Sequence, residues 1–530
     1  MPESLVPPVT ASRLSEGGSQ SVIAQGRGRS RVFEWSFLGL YALLLALVTS
    51  RHVMWFDEMQ AWLIARDSNS LADLFHDMRY EGHPALWQLI LYIPAHISWN
   101  PASMQGINYV FAVAEAWLIL SACKLHWSIR ALTVFSYYVF YQYGLYARNY
   151  MLAMLLLTAA ARCLLGERQH RKLGVLFLAL SINTHFFAIP IAAALFIQFF
   201  CLPRLKSWKG PGRLFRDFEF QAVSLVLLAS LLAAYLTMRP PTDLYTPQYE
   251  FGHRSLAYDF LAAASQAWQG LIPSNLLLAR VGDWLASHHH PIAIGPAAGL
   301  SLALFLILAA ALRTVQARSV FLIASALEVL AMAATVHWPL EHHLGLIFTA
   351  FLLGLLVDAY TVPSRTSRPW LPKPVSLAVV LLILGLQTSK AAKISWFEWN
   401  LQNPAEKETI SWLRQSGLDK NPPMVIMPDL IGPEMLGYLE RPTAYYPACR
   451  CVGSFVVFRT GRDKNRVVTV DELDDISRAS RLPVIVISGS ELPAETLRSL
   501  GLQELRAFSD LTPWGDNFYV YQRWGAVSHD

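Results

Sequence analysis

Two adjacent acids, Asp57 and Glu58 in the stretch "HVMWFDEMQAW" (52–62), directly follow an apolar run that ends at Ser50. Ionisable groups at membrane depth are candidates for function by default. The same pair could instead open an amphipathic helix, where a first-turn Asp57 favours the helix dipole. Further along the chain, His83 lies in "YEGHPALW", and Arg148 and Tyr150 lie in "YGLYARNYM". Asn183, Thr184 and His185 sit in "INTHF", and His337, Glu341, His342 and His343 in "HWPLEHH". Each has a plainer reading: Arg148 as a side chain snorkelling to headgroups, His185 as a satisfied loop histidine. His288, His289 and His290 in "ASHHHP" fit an interfacial loop better than a metal site, and "EHH" has no second ligand cluster at a usable spacing, so no metal site is expected.

These groups can act together only if the elements between them bring them to one place. The chain has 530 residues, 54% hydrophobic and 15% charged, with a mean hydropathy of +0.34. That is too apolar for a soluble protein of this length and reads as a polytopic membrane protein. The net charge of +5 would hint at nucleic acid in a soluble chain, but here the basic residues collect at the ends of apolar runs. They act as topology signals, and no nucleic-acid partner is expected. Cys123, Cys163 and Cys201 end apolar segments, where a thiol acts as a small hydrophobe. Cys449 and Cys451 stand too close to bridge without a strained ring, and no second pair completes a zinc site.

Residues 1–32, rich in Ser, Gly and Arg, read as a disordered tail, followed by a start-transfer anchor at Phe33–Ser50. Further apolar runs are Met104–Ala122, Ala131–Ala147, Met151–Leu165, Phe220–Met238, Pro291–Leu312, Ser319–His337, His342–Tyr360 and Val375–Lys390. Pro84–Trp99 is short enough to lie in the interface, and Leu173–Leu202 is either one long helix or a hairpin of two short ones. The positive-inside rule separates these choices. With an interfacial Pro84–Trp99 and a hairpin at Leu173–Leu202, twenty Lys and Arg residues fall inside and seven outside before the last helix. Any other assignment moves "GERQHRK" or "PRLKSWKGPGR" outside. The expectation is therefore eleven crossings, a cytoplasmic N-terminus, a transmembrane domain over 33–390 and outer loops at 51–103 and 239–290. All the candidate groups then lie on the outer side.

Residues 391–530 turn soluble in composition. "PMVIMPD", "SFVVF", "PVIVIS" and "NFYVYQRW" look like strands, and "EKETISWLRQSG", "GPEMLGYLER", "TVDELDDISRAS" and "PAETLRSLG" like helices. This predicts a small outer-face α/β domain, with neither a G-x-G-x-x-G nor a P-loop to support nucleotide binding.

The segment "WFDEMQAWLIARDSNSLADLFHDMRYEGHPALWQLILY" resembles the start of the GT-C superfamily of polyprenyl-phosphate-sugar glycosyltransferases. Within it, the likeness is to bacterial relatives of the protein O-mannosyltransferases (glycosyltransferase family 39) and of the lipid A aminoarabinose transferase. Their first outer loop opens on a D-E pair, continues as an amphipathic helix and carries an "hPPL"-like segment, matched here by Gly82, His83, Pro84, Ala85 and Leu86. "YARNYML" is similar to their helix-three turn, and in "LEHHLGLIFTAFL" His342 stands where relatives carry an arginine. The likeness covers residues 33–200 well and 320–360 weakly.

The resemblance implies a GT-C fold of about 11 transmembrane helices and an inverting transfer of a sugar from a polyprenyl phosphate to a hydroxyl of a lipid, glycan or protein. It implies Asp57 as the base, Glu58 orienting the acceptor or supporting Asp57, and Arg148 on the leaving phosphate. Tyr150, His83, His185 and His343 are implied as further donor or acceptor contacts. No cofactor is required by this scheme, although a divalent cation at Asp57 and Glu58 is left open. The implied setting is a bacterial inner membrane with a periplasmic C-terminal domain. The rival readings are a transporter or flippase of lipid-linked substrates, since helix-end acids can couple protons, and a glycan ligase.

Overall fold

The computed structural model describes residues 16–166, 170–206, 217–245, 255–273, 291–336, 339–361, 370–400, 405–509 and 516–524. Helix α1 (Glu16–Thr49) leads into a segment of three helices, α2 (Phe56–Asp67), α3 (Leu71–Met78) and α4 (Leu86–Ile97). There follow α5 (Ala102–Leu120), α6 (Trp127–Val134), α7 (Asn149–Leu165), α8 (Arg171–Ile182), α9 (Ala188–Phe196) and α10 (Leu202–Lys206). The membrane part continues through α11 (Phe218–Met238), α12 (Leu256–Gln266), α13 (Pro291–Ala311), α14 (Val315–Thr335), α15 (Glu341–Tyr360) and α16 (Lys373–Asn400). Among the described residues seven helices are long and apolar enough to cross a membrane. On α11 the side chains of Leu225, Leu228, Leu232 and Leu236 point outward, an apolar face suited to lipid. The chain is a mainly α-helical membrane protein, as its composition implies.

The other four expected crossings fall on elements that are shorter, less regular or, for the 19-residue α5, less apolar. Met104–Ala122 corresponds to α5 and Met151–Leu165 to α7. The Leu173–Leu202 run breaks at 183–187 into α8 and α9, with α8 only 12 residues long. Its turn packs against the starts of α4 and α7: the Leu86 N–H donates to the Asn183 carbonyl at 2.9 Å, and Asn149 Nδ2 donates to the Thr184 carbonyl at 3.0 Å. A single helix over Ala131–Ala147 does not form. α6 stops at Val134, Ser136 is extended, and a π-helical turn spans Tyr137–Gln142. Bulky tyrosines crowd this stretch, and Tyr137, Tyr138, Tyr141 and Tyr143 are all buried. At the N-terminus, α1 begins at Glu16, so residues 16–32 are helical, contrary to the tail read from composition. Once the anchor supplies a helical nucleus, extending it costs little per residue.

The C-terminal domain holds α17 (Ala405–Gln415), β1 (Met424–Met427), α18 (Gly432–Tyr438), β2 (Ala444–Tyr446), β3 (Cys451–Gly453), α19 (Val470–Ser480), β4 (Val484–Ser488), α20 (Ala494–Leu500), β5 (Gln503–Phe508) and β6 (Phe518–Arg523). The sheet order is β3-β2-β1-β4-β6-β5. β2, β1 and β4 run parallel, and the other pairs are antiparallel. β1 and β4 are buried along their whole length, which is why "MVIM" and "VIVIS" are continuously apolar. Two expectations fail here. "SFVVF" is not a strand, and Cys449 and Cys451 are disulfide-bonded with a Cα–Cα distance of 5.2 Å. Arg450 between them has a φ of +53°, and this left-handed turn brings the two thiols together.

"SFVVF" instead forms a strap across α2. Gln60 imitates a strand neighbour: its Nε2 donates to the Val456 carbonyl at 2.6 Å, and its Oε1 accepts the Val456 N–H at 3.0 Å. Along the same loop, Lys407 Nζ donates to the Arg51 carbonyl, the Met54 N–H to the Tyr438 hydroxyl, and Arg66 Nη2 to the Arg441 carbonyl. Met59 packs against Gly437, where a side chain would collide with the Met59 sulfur. The domain therefore grips residues 51–66 along their length. A Gln60→Ala variant leaves both Val456 backbone groups unpaired. We expect it to lose about 1–3 kcal/mol of docking stability, read as faster amide hydrogen exchange at Val456 with the sheet of the C-terminal domain still protected.

Candidate active site

α1 ends at Thr49 and α2 begins at Phe56, so Asp57 and Glu58 fall in the first turn of α2. Successive helix positions lie about 100° apart, and the two carboxylates consequently meet different surroundings. Glu58 is fully buried. Its Oε2 accepts the Trp55 N–H at 3.2 Å, which caps α2, and meets His52 Nε2 at 3.0 Å. Its Oε1 accepts the Ala147 N–H at 2.6 Å. The last bond holds the chain at the residue before Arg148, which is extended and caps α7.

His52 bridges two acids. Nε2 reaches Glu58, and Nδ1 meets Glu398 Oε1 of α16 at 2.9 Å. Burial alone would push its pKa down, but the carboxylates of Glu58 and Glu398 outweigh this and hold it up to about 10. Both ring nitrogens therefore carry protons and donate. Tyr141 adds a hydroxyl to Glu398 Oε2 at 2.8 Å. In this way α1, α2, α16 and the segment before α7 are joined at one point.

Asp57 is the accessible member of the pair. Its Oδ2 accepts from Arg148 Nη1 at 2.8 Å, with side-chain exposures of 28% for Asp57 and 12% for Arg148. Among the described residues this is the one hydrogen bond of either side chain, leaving Asp57 Oδ1 and the guanidinium Nε and Nη2 uncommitted. The Arg148 guanidinium also lies 5.9 Å from the Trp55 ring and 5.3 Å from the Tyr150 ring. Glu81 stands nearby, its Oε1 accepting from Gln60 Nε2 at 2.8 Å. Burial raises its pKa to about 7, and the charge on Asp57 adds to the rise while Gln60 and Arg148 oppose it.

Beside Arg148 the turns collect imidazoles. The His185 ring lies 4.1 Å from Tyr150 and 5.0 Å from His83. Tyr150 is 5.6 Å from His342 and 6.5 Å from His343, and those two histidines are 4.2 Å apart. The structure thus brings together Asp57, Arg148, Tyr150, His83, His185, His342 and His343. Glu341 turns away, to Lys390 and to the Tyr137 hydroxyl. His337 and His288–His290 lie outside the described residues.

Glu58, expected either to orient the acceptor or to support Asp57, is buried, with its oxygens facing His52 and two backbone N–H groups. Among the described residues no group of three or more His, Cys, Asp and Glu side chains could hold a metal ion. Sequence reasoning missed His52, Glu81 and Glu398. Signals did exist: a histidine two residues beyond the first apolar run, and an acid two residues before His83.

No family model matches the chain, and no curated protein matches it. Among solved structures it is similar to ArnT from Cupriavidus metallidurans bound to undecaprenyl phosphate, with 13% identity, a TM-score of 0.48, and coverage of 93% of this chain and 98% of that one. The apo crystal structure of that protein gives 13% identity, a TM-score of 0.39 and coverage of 94% and 98%.

The His52 bridge gives a pH signature. Its folded pKa, about 10, lies above the ordinary value of 6.5. The stabilisation is therefore complete below pH 6.5 and is lost as the pH rises through 10. The melting temperature of the wild type should exceed that of His52→Gln by most at pH 6, and the gap should close toward pH 10. A gap that does not change with pH would show that the bridge is not charged.

Proposed function

We propose that the chain is an integral-membrane glycosyltransferase that moves a sugar from a polyprenyl phosphate to an acceptor hydroxyl, with inversion at the anomeric carbon. The observation that carries this is the Asp57–Arg148 pair, half-open, with one carboxylate oxygen and two guanidinium nitrogens uncommitted among the described residues. Asp57 Oδ1 accepts the acceptor O–H and takes its proton as the new C–O bond forms. The anomeric C–O bond breaks on the opposite face, and its electron pair leaves with the lipid phosphate. Arg148 meets the charge that develops there, and its planar fork suits phosphate oxygens. Because that charge grows in the transition state, the contact accelerates the chemical step beyond any help to binding. The polyprenyl donor is taken from the resemblance of the Trp55–Tyr92 segment and of "YARNYML" to the GT-C enzymes.

We place the site on the outer face of a bacterial inner membrane, with the N-terminus inside and the C-terminal domain in the periplasm. The charge distribution supports this sidedness, and the Cys449–Cys451 disulfide fits an oxidising compartment.

The test supplies polyprenyl-phosphate sugars to the purified protein in proteoliposomes and follows sugar transfer. Asp57→Asn should lower turnover by about 10²–10⁴-fold, and Arg148→Ala by roughly 10²–10³-fold, with both variants keeping the wild-type melting temperature within a few degrees. Full transfer by a folded Asp57→Asn protein would remove Asp57 as the base. Lipid flux without transfer would favour a flippase. For sidedness, an alkaline phosphatase fusion at the C-terminus should be active and one after Cys201 silent; the reverse pattern would overturn the topology.

A further inference from the structure

Three buried polar atoms next to Arg148 have no protein partner: the Tyr150 hydroxyl, His185 Nε2 and His83 Nδ1. His185 is fully buried and Tyr150 is 2% exposed. Buried polar groups are rarely left unpaired, because each costs free energy unless something answers it. The rings of Tyr150 and His83 flank His185, and the Arg148 guanidinium lies 5.3 Å from the Tyr150 ring. The three atoms thus adjoin the place assigned to the phosphate.

Their chemistry can be read from their other bonds. His185 Nδ1 accepts the Phe187 N–H at 3.0 Å, so the proton sits on Nε2, which donates. His343 Nδ1 likewise accepts the Leu340 N–H at 3.1 Å. Burial and the neighbouring Arg148 push the His83 pKa down to about 3, so this ring is neutral too. Tyr150 can donate or accept. The cluster therefore offers neutral donors and acceptors. Among the described residues its one neighbouring cation, Arg148, faces Asp57, and its remaining nitrogens are assigned above to the phosphate.

We propose that this cluster binds the sugar of the donor and selects a neutral one, a hexose or pentose whose hydroxyls both donate and accept. The proposal rests on the transferase reading above. A uronic-acid carboxylate would need a second cation here. A sugar ammonium would be held among uncharged imidazoles beside a guanidinium, and of the acids whose charge reaches Tyr150, Asp57 is already paired with Arg148 and Glu328 is buried within α14. Sugar hydroxyls satisfy Tyr150, His185 and His83 with no charge buried unpaired.

The experiment offers undecaprenyl phosphate carrying mannose, glucose, galactose, arabinose, 4-amino-4-deoxyarabinose or galacturonic acid to the full-length protein in proteoliposomes. A neutral sugar should exceed both charged sugars in kcat/KM by about 10²-fold or more. Tyr150→Phe, which keeps the ring, should weaken transfer of that sugar roughly tenfold while displacement of the donor by undecaprenyl phosphate alone stays unchanged. His185→Ala should act in the same direction. If no donor is consumed, the transferase reading fails. If an amino sugar or uronic acid is the best substrate, the transferase reading stands and the neutral-sugar proposal falls. A preferred neutral sugar with Tyr150→Phe and His185→Ala unchanged would place sugar recognition elsewhere and also overturn it.

Discussion

Glu58 brings a carboxylate into a place without solvent, where His52 and the Trp55 and Ala147 N–H groups answer it. An acid buried this deeply is tolerated only when its oxygens are filled. Here the partners come from the end of α1, the cap of α2 and the chain entering α7. His52 extends the network to Glu398 on α16. The position of Arg148 is a consequence, because the residue before it is tethered to Glu58. Losing any member would leave a buried charge or donor behind, so the joint tends to hold or fail as a unit.

The second constraint is that α2, between Glu58 and Arg66, has no wet face. Glu58 through Arg66 are all buried, and Met59, Trp62, Leu63 and Ala65 share a core with Ile426, Met435, Ile487 and Val520 of the C-terminal domain. A helix buried on every side must be covered on every side and its polar groups answered, as those of Gln60 and Arg66 are. The membrane helices cover one side and the α/β domain the other. That explains why the domain reaches over the loop with the Gln60–Val456, Lys407–Arg51 and Tyr438–Met54 hydrogen bonds. It also places Glu434 beside the first turn of α2, where burial raises its pKa to about 8 and lets the acid sit there without full charge. The domain acts as the outer wall of the helix that carries Asp57.

Much of this was legible because it depends on local pattern. Apolar runs located α1, α11 and α13–α16, and "MVIM" and "VIVIS" located the parallel strands. Charge placement implied a hairpin at Leu173–Leu202, and the break at 183–187 lies within it. What could not be read depends on partners distant in sequence. "SFVVF" has strand composition, yet its backbone partner is a glutamine side chain nearly four hundred positions earlier. The Tyr137–Gln142 turn bends because tyrosines pack against other helices, which no window of sequence contains. The Cys449–Cys451 bond depends on one left-handed residue, Arg450, a conformation that its side chain does not advertise.

The two neighbouring acids carry the same lesson at the scale of one helical turn. From sequence, cap and site were alternatives for the pair as a whole. In the fold they divide. Glu58, rotated inward, completes the cap and the joint; Asp57, about 100° around the axis, keeps 28% of its side chain exposed and faces Arg148. Each role depends on the other. An Asp57–Arg148 pair built only from surface side chains would be loose and largely screened. Anchored from behind through Ala147 and Glu58, the guanidinium is held in place by the fold, as its proposed role on the leaving phosphate requires, since a fixed charge stabilises a transition state without reorganising during the reaction.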